Sequence, residues 1–163
     1  MEVQIEDSQQ QIPIDHGWVE RVVKWIFQAL GNHEGEVSIV FLDDSRMAEL
    51  NRQYLKREGS TDVLAFPMAE GEFGHIIPGM WGDIVISVPR ALEQSRELGF
   101  SVAEELGALL IHGALHLMGY NHEGVHLEVA ERMRALEAQL FDQAFGRSGI
   151  FKGQQAVESN DIH

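Results

Sequence analysis

The segment from Ser101 to Met118 limits the possible folds more than any other part of the sequence. Ser101 and Glu104 have the S-x-x-E spacing of a helix capping box, and the run from Leu106 to Met118 is apolar except for two histidines. A helix that is apolar on nearly every side has to be surrounded by other elements. The sequence therefore predicts a domain built around one buried helix.

Shorter periodic segments flank this helix and follow two different repeat lengths. Apolar spacings of three and four predict amphipathic helices at residues 18–30, 44–54, 89–98 and 126–141. β-Branched and apolar runs predict strands at residues 2–6, 36–42, 63–66 and 83–88, with a glycine-rich loop or hairpin before the last. The predicted fold class is α+β: a small mixed β-sheet packed against several helices, with a buried central helix that carries the two histidines.

The length of 163 residues fits one domain with a real core. We assign residues 1–145 to a single domain and expect residues 146–163, which lack any period, to form a disordered tail. No apolar run approaches the ~18 residues of a membrane span, and the first residues lack the features of a signal peptide. These observations predict a cytoplasmic protein.

The central helix carries a histidine pattern with the spacing of a metal site. The segment reads H-x3-H-x2-G-x2-H, with His112 and His116 one helical turn apart and therefore on one face. Gly119 allows the chain to leave the helix through a positive φ, so that His122 can supply a third nitrogen. His126, four residues further on, is the competing candidate for that third place.

The absence of cysteine leaves histidine and carboxylate as the only ligands for a transition metal. A single histidine on an apolar face is more often a satisfied core residue than a ligand. Two histidines in an otherwise apolar helix, followed by a third, favour one zinc ion held by His112, His116 and His122. Three protein ligands leave one tetrahedral position for water, as in catalytic rather than structural zinc sites.

The same spacing occurs in the metzincin proteases, H-E-x-x-H-x-x-G-x-x-H. Position 113 is Gly here, so the glutamate that acts as general base in those proteases is absent. Gly113 indicates either that room is needed beside the metal or that the helix packs tightly at this point.

The sequence HGALHLMGYNH, with STDVLAFP and WGDIVIS upstream, resembles the YbeY family of bacterial endoribonucleases. The resemblance extends over roughly Glu36 to Leu136. It implies a zinc-dependent, single-strand-specific endoribonuclease that acts in 16S rRNA 3′-end maturation and in ribosome quality control. It also implies ribosomal RNA and the ribosome or ribosome-associated proteins as partners, and neither DNA nor a membrane.

Two positions depart from the pattern of that family. Asn121 stands where the family usually has an aspartate, and the arginine thought important for the family's activity falls on Leu55. Arg57, or Lys56, is the candidate to take its place by binding a phosphate or stabilising charge on phosphorus. The alternative is that both are ordinary basic residues on a solvated loop.

Several other side chains are candidates for lesser roles. Phe66, Phe73 and Trp81 are candidates to stack on splayed nucleotides, although core packing is the simpler fate of Phe66. We expect Asp62 to stabilise a turn and Asp83 to close a loop. Glu105, in the first turn of the central helix, is expected to face solvent, with a contact to a metal ligand as the alternative.

The formal net charge of −14 argues against broad attraction to nucleic acid. A ribosome-associated partner that positions the RNA would remove this objection. Two other functions remain open: a zinc hydrolase or metalloprotease acting on a non-nucleic substrate, and a non-catalytic module in which zinc braces the fold for ribosome binding. A fourth protein ligand, such as His126, would favour the latter.

Overall fold

The computed structural model describes residues 1–56, 59–68, 80–120 and 127–158. Its strands are β1 (Glu2–Ser8), β2 (Glu36–Leu42), β3 (Val63–Pro67) and β4 (Met80–Ser87). Its helices are α1 (His16–Ala29), α2 (Asp44–Leu55), α3 (Val88–Leu98), α4 (Val102–Leu117) and α5 (Leu127–Phe145). The predicted α+β class is confirmed, and each of the predicted elements is present within a few residues of its expected bounds.

The four strands form one mixed sheet in the order β1-β2-β4-β3. β1 pairs with β2, and β2 with β4, in parallel, whereas β3 pairs with β4 in antiparallel. Alternate residues point to opposite faces of a strand, so each face of the sheet has its own environment. One face of β2 and β4 carries Ile39, Phe41, Ile84 and Ile86, which are fully buried in the main core.

Helices α1 and α4 supply most of the other side of this core. Six apolar residues of α1 are buried, as the spacing predicts: Trp18, Val19, Val22, Val23, Ile26 and Phe27. The opposite face of the sheet is covered only in part, by α2, through a small second cluster of Leu42, Met47, Leu64 and Val85. Among the described residues, the sheet therefore has one closed face and one largely open face.

The capping box predicted at the start of α4 is present. The Ser101 hydroxyl accepts a hydrogen bond from the Glu104 backbone N–H at 3.1 Å, and the Ser101 N–H donates to the Glu104 carboxylate at 2.9 Å. These two bonds satisfy donors that would otherwise lack partners at a helix N-terminus. They fix where the buried helix begins, and hence which turn carries the histidines.

Helices α4 and α5 approach each other closely at Gly107. A Cβ atom at this position would lie 2.2 Å from Cε2 of Phe145, far inside any normal contact. The Phe145 ring is itself buried and continues into an aromatic group with Phe141 and Phe151. The missing side chain at Gly107 therefore allows α5 to pack against α4.

The segment after α5 corrects the expectation of a disordered tail over residues 146–158. Phe151 and Ala156 are buried, and the Phe151 ring packs edge-on against Trp25 at 5.8 Å between centroids. Val157 forms an antiparallel bridge with Ile14, and the Asp15 N–H donates to the Ala156 carbonyl at 2.8 Å. A few apolar side chains at long range hold a segment that has no period of its own. Residues 159–163 lie outside the described residues.

No single helix in the described ranges has the length and hydropathy of a membrane span. Only α3 and α4 taken together pass that test, and they are bent by 115° at their junction.

Candidate metal centre

The two histidines of α4 face each other on one side of the helix. The Nε2 atoms of His112 and His116 are 3.0 Å apart, and their ring centroids are 4.5 Å apart. Both residues are partly exposed, on a helix whose other positions are mostly buried. The one-turn spacing therefore brings two imidazole nitrogens together at a point that solvent and ligands can reach.

A carboxylate from another helix contacts the far side of the first ring. Nδ1 of His112 lies 2.7 Å from Oε1 of Glu137, on α5. An ionised carboxylate can only accept a hydrogen bond, so Nδ1 of His112 carries the proton and donates it. In the neutral ring Nε2 then carries the lone pair, directed at His116. Glu137 is a site residue that the sequence analysis did not identify.

This arrangement fits a metal ion. Two nitrogen lone pairs at 3.0 Å repel each other unless a proton or a cation lies between them. Nitrogens that share one zinc ion lie roughly 3 to 3.5 Å apart, because each Zn–N bond is about 2.0–2.1 Å. A histidine ligand that donates its other N–H to a carboxylate is a recurrent feature of metal sites. His112 and His116 thus have the chemistry and spacing of a ligand pair.

The third predicted ligand, His122, lies outside the described residues, as does its competitor His126. Within the ranges that the structure covers, no group of three His, Cys, Asp or Glu residues is placed to hold a metal ion. The assignment of His122 therefore stays a prediction. The helix end that would lead to it is as expected, since Gly119 has φ 100°, a conformation that favours glycine.

Of the two explanations for Gly113, the structure favours tight packing. A Cβ atom here would lie 2.7 Å from Cγ2 of Ile84 in β4, so the helix contacts the sheet through its own backbone. A second close approach occurs nearby at Gly82, where a Cβ would be 2.2 Å from the Phe66 carbonyl oxygen and 3.1 Å from the Leu117 side chain. The turn of α4 that carries His116 is therefore held against the ends of β3 and β4.

Of the two basic residues that are candidates for phosphate binding, the structure describes Lys56. Arg57 lies outside the described residues. Lys56 caps the C-terminus of α2 in the left-handed conformation, with φ 57°, and Leu55 beside it is 41% exposed. The role of Arg57 in phosphate binding therefore remains a prediction.

Two of the three candidate stacking rings have structural contacts. Trp81 packs on Phe27 and donates its indole N–H to the Glu34 carbonyl at 3.2 Å. Phe66 packs edge-on against Tyr54. Phe73 lies outside the described residues, and so does His75 in the same stretch.

The structure corrects the expected position of Glu105. This residue is only 3% exposed, rather than facing solvent, and burial raises its pKa to about 7, with repulsion from Asp62 as a second cause. Asp62 itself accepts hydrogen bonds from the Val63 N–H and the Thr61 hydroxyl, as the turn interpretation predicts.

Asp83 also differs from its expected place, because it lies within β4 and not in a loop. Its side chain is on the open face of the sheet, where burial raises its pKa and a hydrogen bond from Ser38 acts in the opposite direction. It lines a surface cavity of about 1020 Å³, together with Glu6, Asp43 and Arg46. This cavity is therefore on the other face of the sheet from α4, and no histidine is among the described residues that line it.

The fold and the paired histidines define a class of α+β protein in which one buried helix carries two converging imidazoles. The family model described as endoribonuclease YbeY matches residues 4–144. Curated proteins named endoribonuclease YbeY include one from Geobacter metallireducens, 40% identical over 86% of this chain and 94% of its own. Another, from Syntrophus aciditrophicus, is 38% identical over 86% and 88% of the two chains.

A solved structure is similar as well. The solution structure of a Thermotoga maritima protein aligns with a TM-score of 0.55 and 23% identity, over 86% of this chain and 90% of that one. This likeness concerns the fold. The family match over most of the chain goes further: this chain belongs to the endoribonuclease YbeY family.

Proposed function

We propose that this protein is a zinc-dependent endoribonuclease specific for single-stranded RNA. The observation that carries the proposal is the 3.0 Å approach of the His112 and His116 Nε2 atoms, in a chain whose relatives are named endoribonucleases. His122 is the third ligand in this proposal. Its substrate is ribosomal RNA, at the step of 16S rRNA 3′-end maturation and ribosome quality control in the cytoplasm, with the ribosome or ribosome-associated proteins as partners.

In this proposal some residues of the chain bind the metal and others stabilise negative charge on the phosphate. His112 and His116 bind the metal through Nε2, on a helix fixed by its capping box and by close contact with β4. When bound, zinc supplies Lewis-acid stabilisation of a phosphoryl oxygen and lowers the pKa of water, which favours attack on phosphorus. Arg57, or Lys56 beside it, stabilises the negative charge that develops there.

The net charge bears on how RNA reaches the site. At −14 the protein gains little from the non-specific attraction that draws basic proteins to phosphate. Few phosphates would be contacted, so selection for single strands has to come from the shape of the cleft, which accepts splayed nucleotides but not an A-form duplex. A ribosome-bound partner then delivers the substrate.

The first experiment measures zinc content and RNA cleavage together. Purified native protein, His116→Ala, and a chelator-treated native sample are incubated with a labelled single-stranded RNA and with the same strand annealed to its complement. We expect native protein to retain zinc and cut only the single strand. The His116→Ala variant should lose zinc and at least tenfold in cleavage, because one ligand of a three-ligand site is gone.

His33→Ala is the matched control, since His33 is an exposed histidine at the end of a loop before β2. It should leave zinc content and cleavage unchanged, and zinc should restore the chelated sample. Equal cleavage by all samples would refute the proposal. Retained zinc with no cleavage of any RNA would favour the non-catalytic module instead.

A second experiment concerns the basic residue. Arg57→Ala should keep its zinc and cut single-stranded RNA at least tenfold more slowly, as expected when a group that stabilises developing charge is removed. Lys56→Ala, one residue away, tests the alternative candidate, and a loss confined to that variant would assign the role to Lys56. Equal and small losses in both variants would assign these residues to a solvated loop.

A further inference from the structure

We propose that Glu137 is a positioning residue for the metal centre, which fixes the tautomer and the orientation of the His112 ring. This inference rests on the proposed function, because it concerns the same site. The contact itself is in the structure: Oε1 of Glu137 is 2.7 Å from Nδ1 of His112 and links α5 to α4 across 25 residues of sequence.

The proton on the ring follows from what the carboxylate can do. Since Glu137 accepts, the hydrogen of neutral His112 is on Nδ1, and Nε2 is left as the atom that can bind a metal. Without Glu137 the neutral ring would divide its proton between the two nitrogens. Only part of the population would then present a lone pair towards His116.

The geometry excludes Glu137 as a direct ligand of a metal ion bound where the Nε2 atoms of His112 and His116 converge. Nδ1 and Nε2 lie on opposite sides of the imidazole ring, and the Nε2 atom of His112 is the one that meets His116 at 3.0 Å. The carboxylate is therefore separated from the place where the two Nε2 atoms converge by the width of the ring. It acts on the metal through His112.

Partial burial strengthens the contact. The side chains of His112 and Glu137 are each only 30% exposed, so water competes less for the hydrogen bond than it would at an open surface. A charge-assisted hydrogen bond of this length also restricts rotation of the ring about its side-chain bonds. The ligand atom is thus held in place before any metal arrives.

Zinc affinity provides the first measurement. Zinc alone is titrated into metal-free native protein, Glu137→Ala, Glu137→Gln and Glu131→Ala, in competition with a fluorescent chelator. We expect Glu137→Ala to weaken zinc binding about 10- to 100-fold, the usual effect of losing such a partner. Glu137→Gln should lose less, because its side-chain oxygen still accepts from Nδ1.

Glu131→Ala removes the same charge from an exposed position of the same helix and should bind zinc as native protein does. An equal loss in Glu131→Ala and Glu137→Ala would overturn the inference, because net charge alone would then explain it. Unchanged affinity in Glu137→Ala would overturn it as well. The unfolding temperatures of the metal-free variants establish that each is folded.

The His112 tautomer provides a second measurement that needs no metal. In metal-free native protein at mildly alkaline pH, ¹H–¹⁵N NMR of the ring should show the proton on Nδ1, and Glu137→Ala should show a mixture. The same tautomer in both proteins would contradict the inference. Failure of native protein to bind zinc would refute the proposed function, and the NMR comparison would still decide the role of Glu137.

Discussion

At the scale of single residues, Glu105 has the most unusual environment of the described carboxylates. It is 3% exposed near the start of α4, two turns before the histidine pair, and it faces Asp62 at the beginning of β3. Its pKa rises from 4.5 to about 7, chiefly through burial. Below about pH 7 the protonated form is therefore favoured in the folded protein, and ionisation destabilises the fold.

This shift predicts a pH dependence of stability. Between pH 4.5 and about 7 the unfolded chain has already lost the Glu105 proton while the folded protein keeps it, so stability falls as the pH rises. Glu105→Gln cannot ionise and lacks this loss. Compared with native protein, its free energy of unfolding should gain roughly 1–3 kcal/mol on going from pH 4.5 to pH 8.

Urea denaturation of both proteins across this range measures the difference, in which the contributions of all other carboxylates cancel. A constant difference between native protein and Glu105→Gln would contradict the raised pKa. Glu104→Gln is unsuitable as a control because Glu104 belongs to the capping box. Glu97→Gln, an exposed glutamate in the last turn of α3, tests for a general effect of charge.

The environments of Glu105 and Glu137 could not be predicted from the sequence, whereas the approach of the two histidines could. The positions and spacing of His112 and His116 are local, so their convergence could be predicted from one helical turn. The hydrogen bond from His112 to Glu137 joins two helices, and nothing within α5 distinguishes this glutamate from its exposed neighbours. Glu105 was misplaced for the same reason, because the turn at Asp62 that covers it is distant in sequence.

At the scale of elements, the contact between α4 and α5 depends on the missing side chain of Gly107. Glycine within a helix costs about 1 kcal/mol relative to alanine, so an isolated helix would gain from the change. Here the gain is opposed by the Phe145 ring, which occupies the place of a Cβ. Packing against Phe145 therefore decides whether alanine at position 107 stabilises or destabilises the protein.

Gly107→Ala should lower the free energy of unfolding by about 1–3 kcal/mol, the usual cost of overpacking a core. Gly17→Ala in the first turn of α1 is the matched control, since Gly17 is exposed and its nearest neighbour would be the Asp15 side chain at 3.3 Å. That variant should be neutral or slightly stabilised in thermal or urea unfolding. Equal stability of the two variants would show that α5 can shift without cost.

Elements were more predictable than contacts because periodicity is a local signal. The apolar stripe of α1 is buried as expected, and the S-x-x-E motif forms both hydrogen bonds of the capping box. In α2 the apolar spacing of Met47, Leu50 and Tyr54 predicts that all three lie on the inner face, but Tyr54 is 59% exposed. Its helix lies on the open face of the sheet, where the part of the chain that the structure describes leaves the last turn exposed.

At the scale of the whole molecule, the segment after α5 closes the core next to the start of α1. This packing was not predictable because the segment has only two short apolar pairs, Ile150–Phe151 and Ala156–Val157, in an otherwise polar stretch without a period. The order and direction of the strands were equally out of reach, since pairing of β2 with β4 joins residues about 45 positions apart. Both features depend on long-range contacts that leave no local pattern.

Phe151→Ala should destabilise the fold by about 3 kcal/mol, because it removes a buried ring that touches Trp25 and Phe145. Ile150→Ala changes the preceding residue, which is 55% exposed, and should cost less than 1 kcal/mol. Chemical denaturation of the metal-free proteins compares the two. A stability equal to that of native protein in Phe151→Ala would mean that this segment does not contribute to the folded state.

The mixed sheet has a consequence for synthesis of the chain. All four strands that the structure describes end by Ser87, whereas α4, which covers Ile39, Phe41, Ile84 and Ile86, is complete only at Leu117. At translation rates of about 5–20 residues per second, the interval between the two lasts roughly 1.5–6 seconds. During that time α1 is present to pack on the apolar side of the nascent sheet, but the part of that side that later packs against α4 is still accessible to chaperones or neighbouring chains.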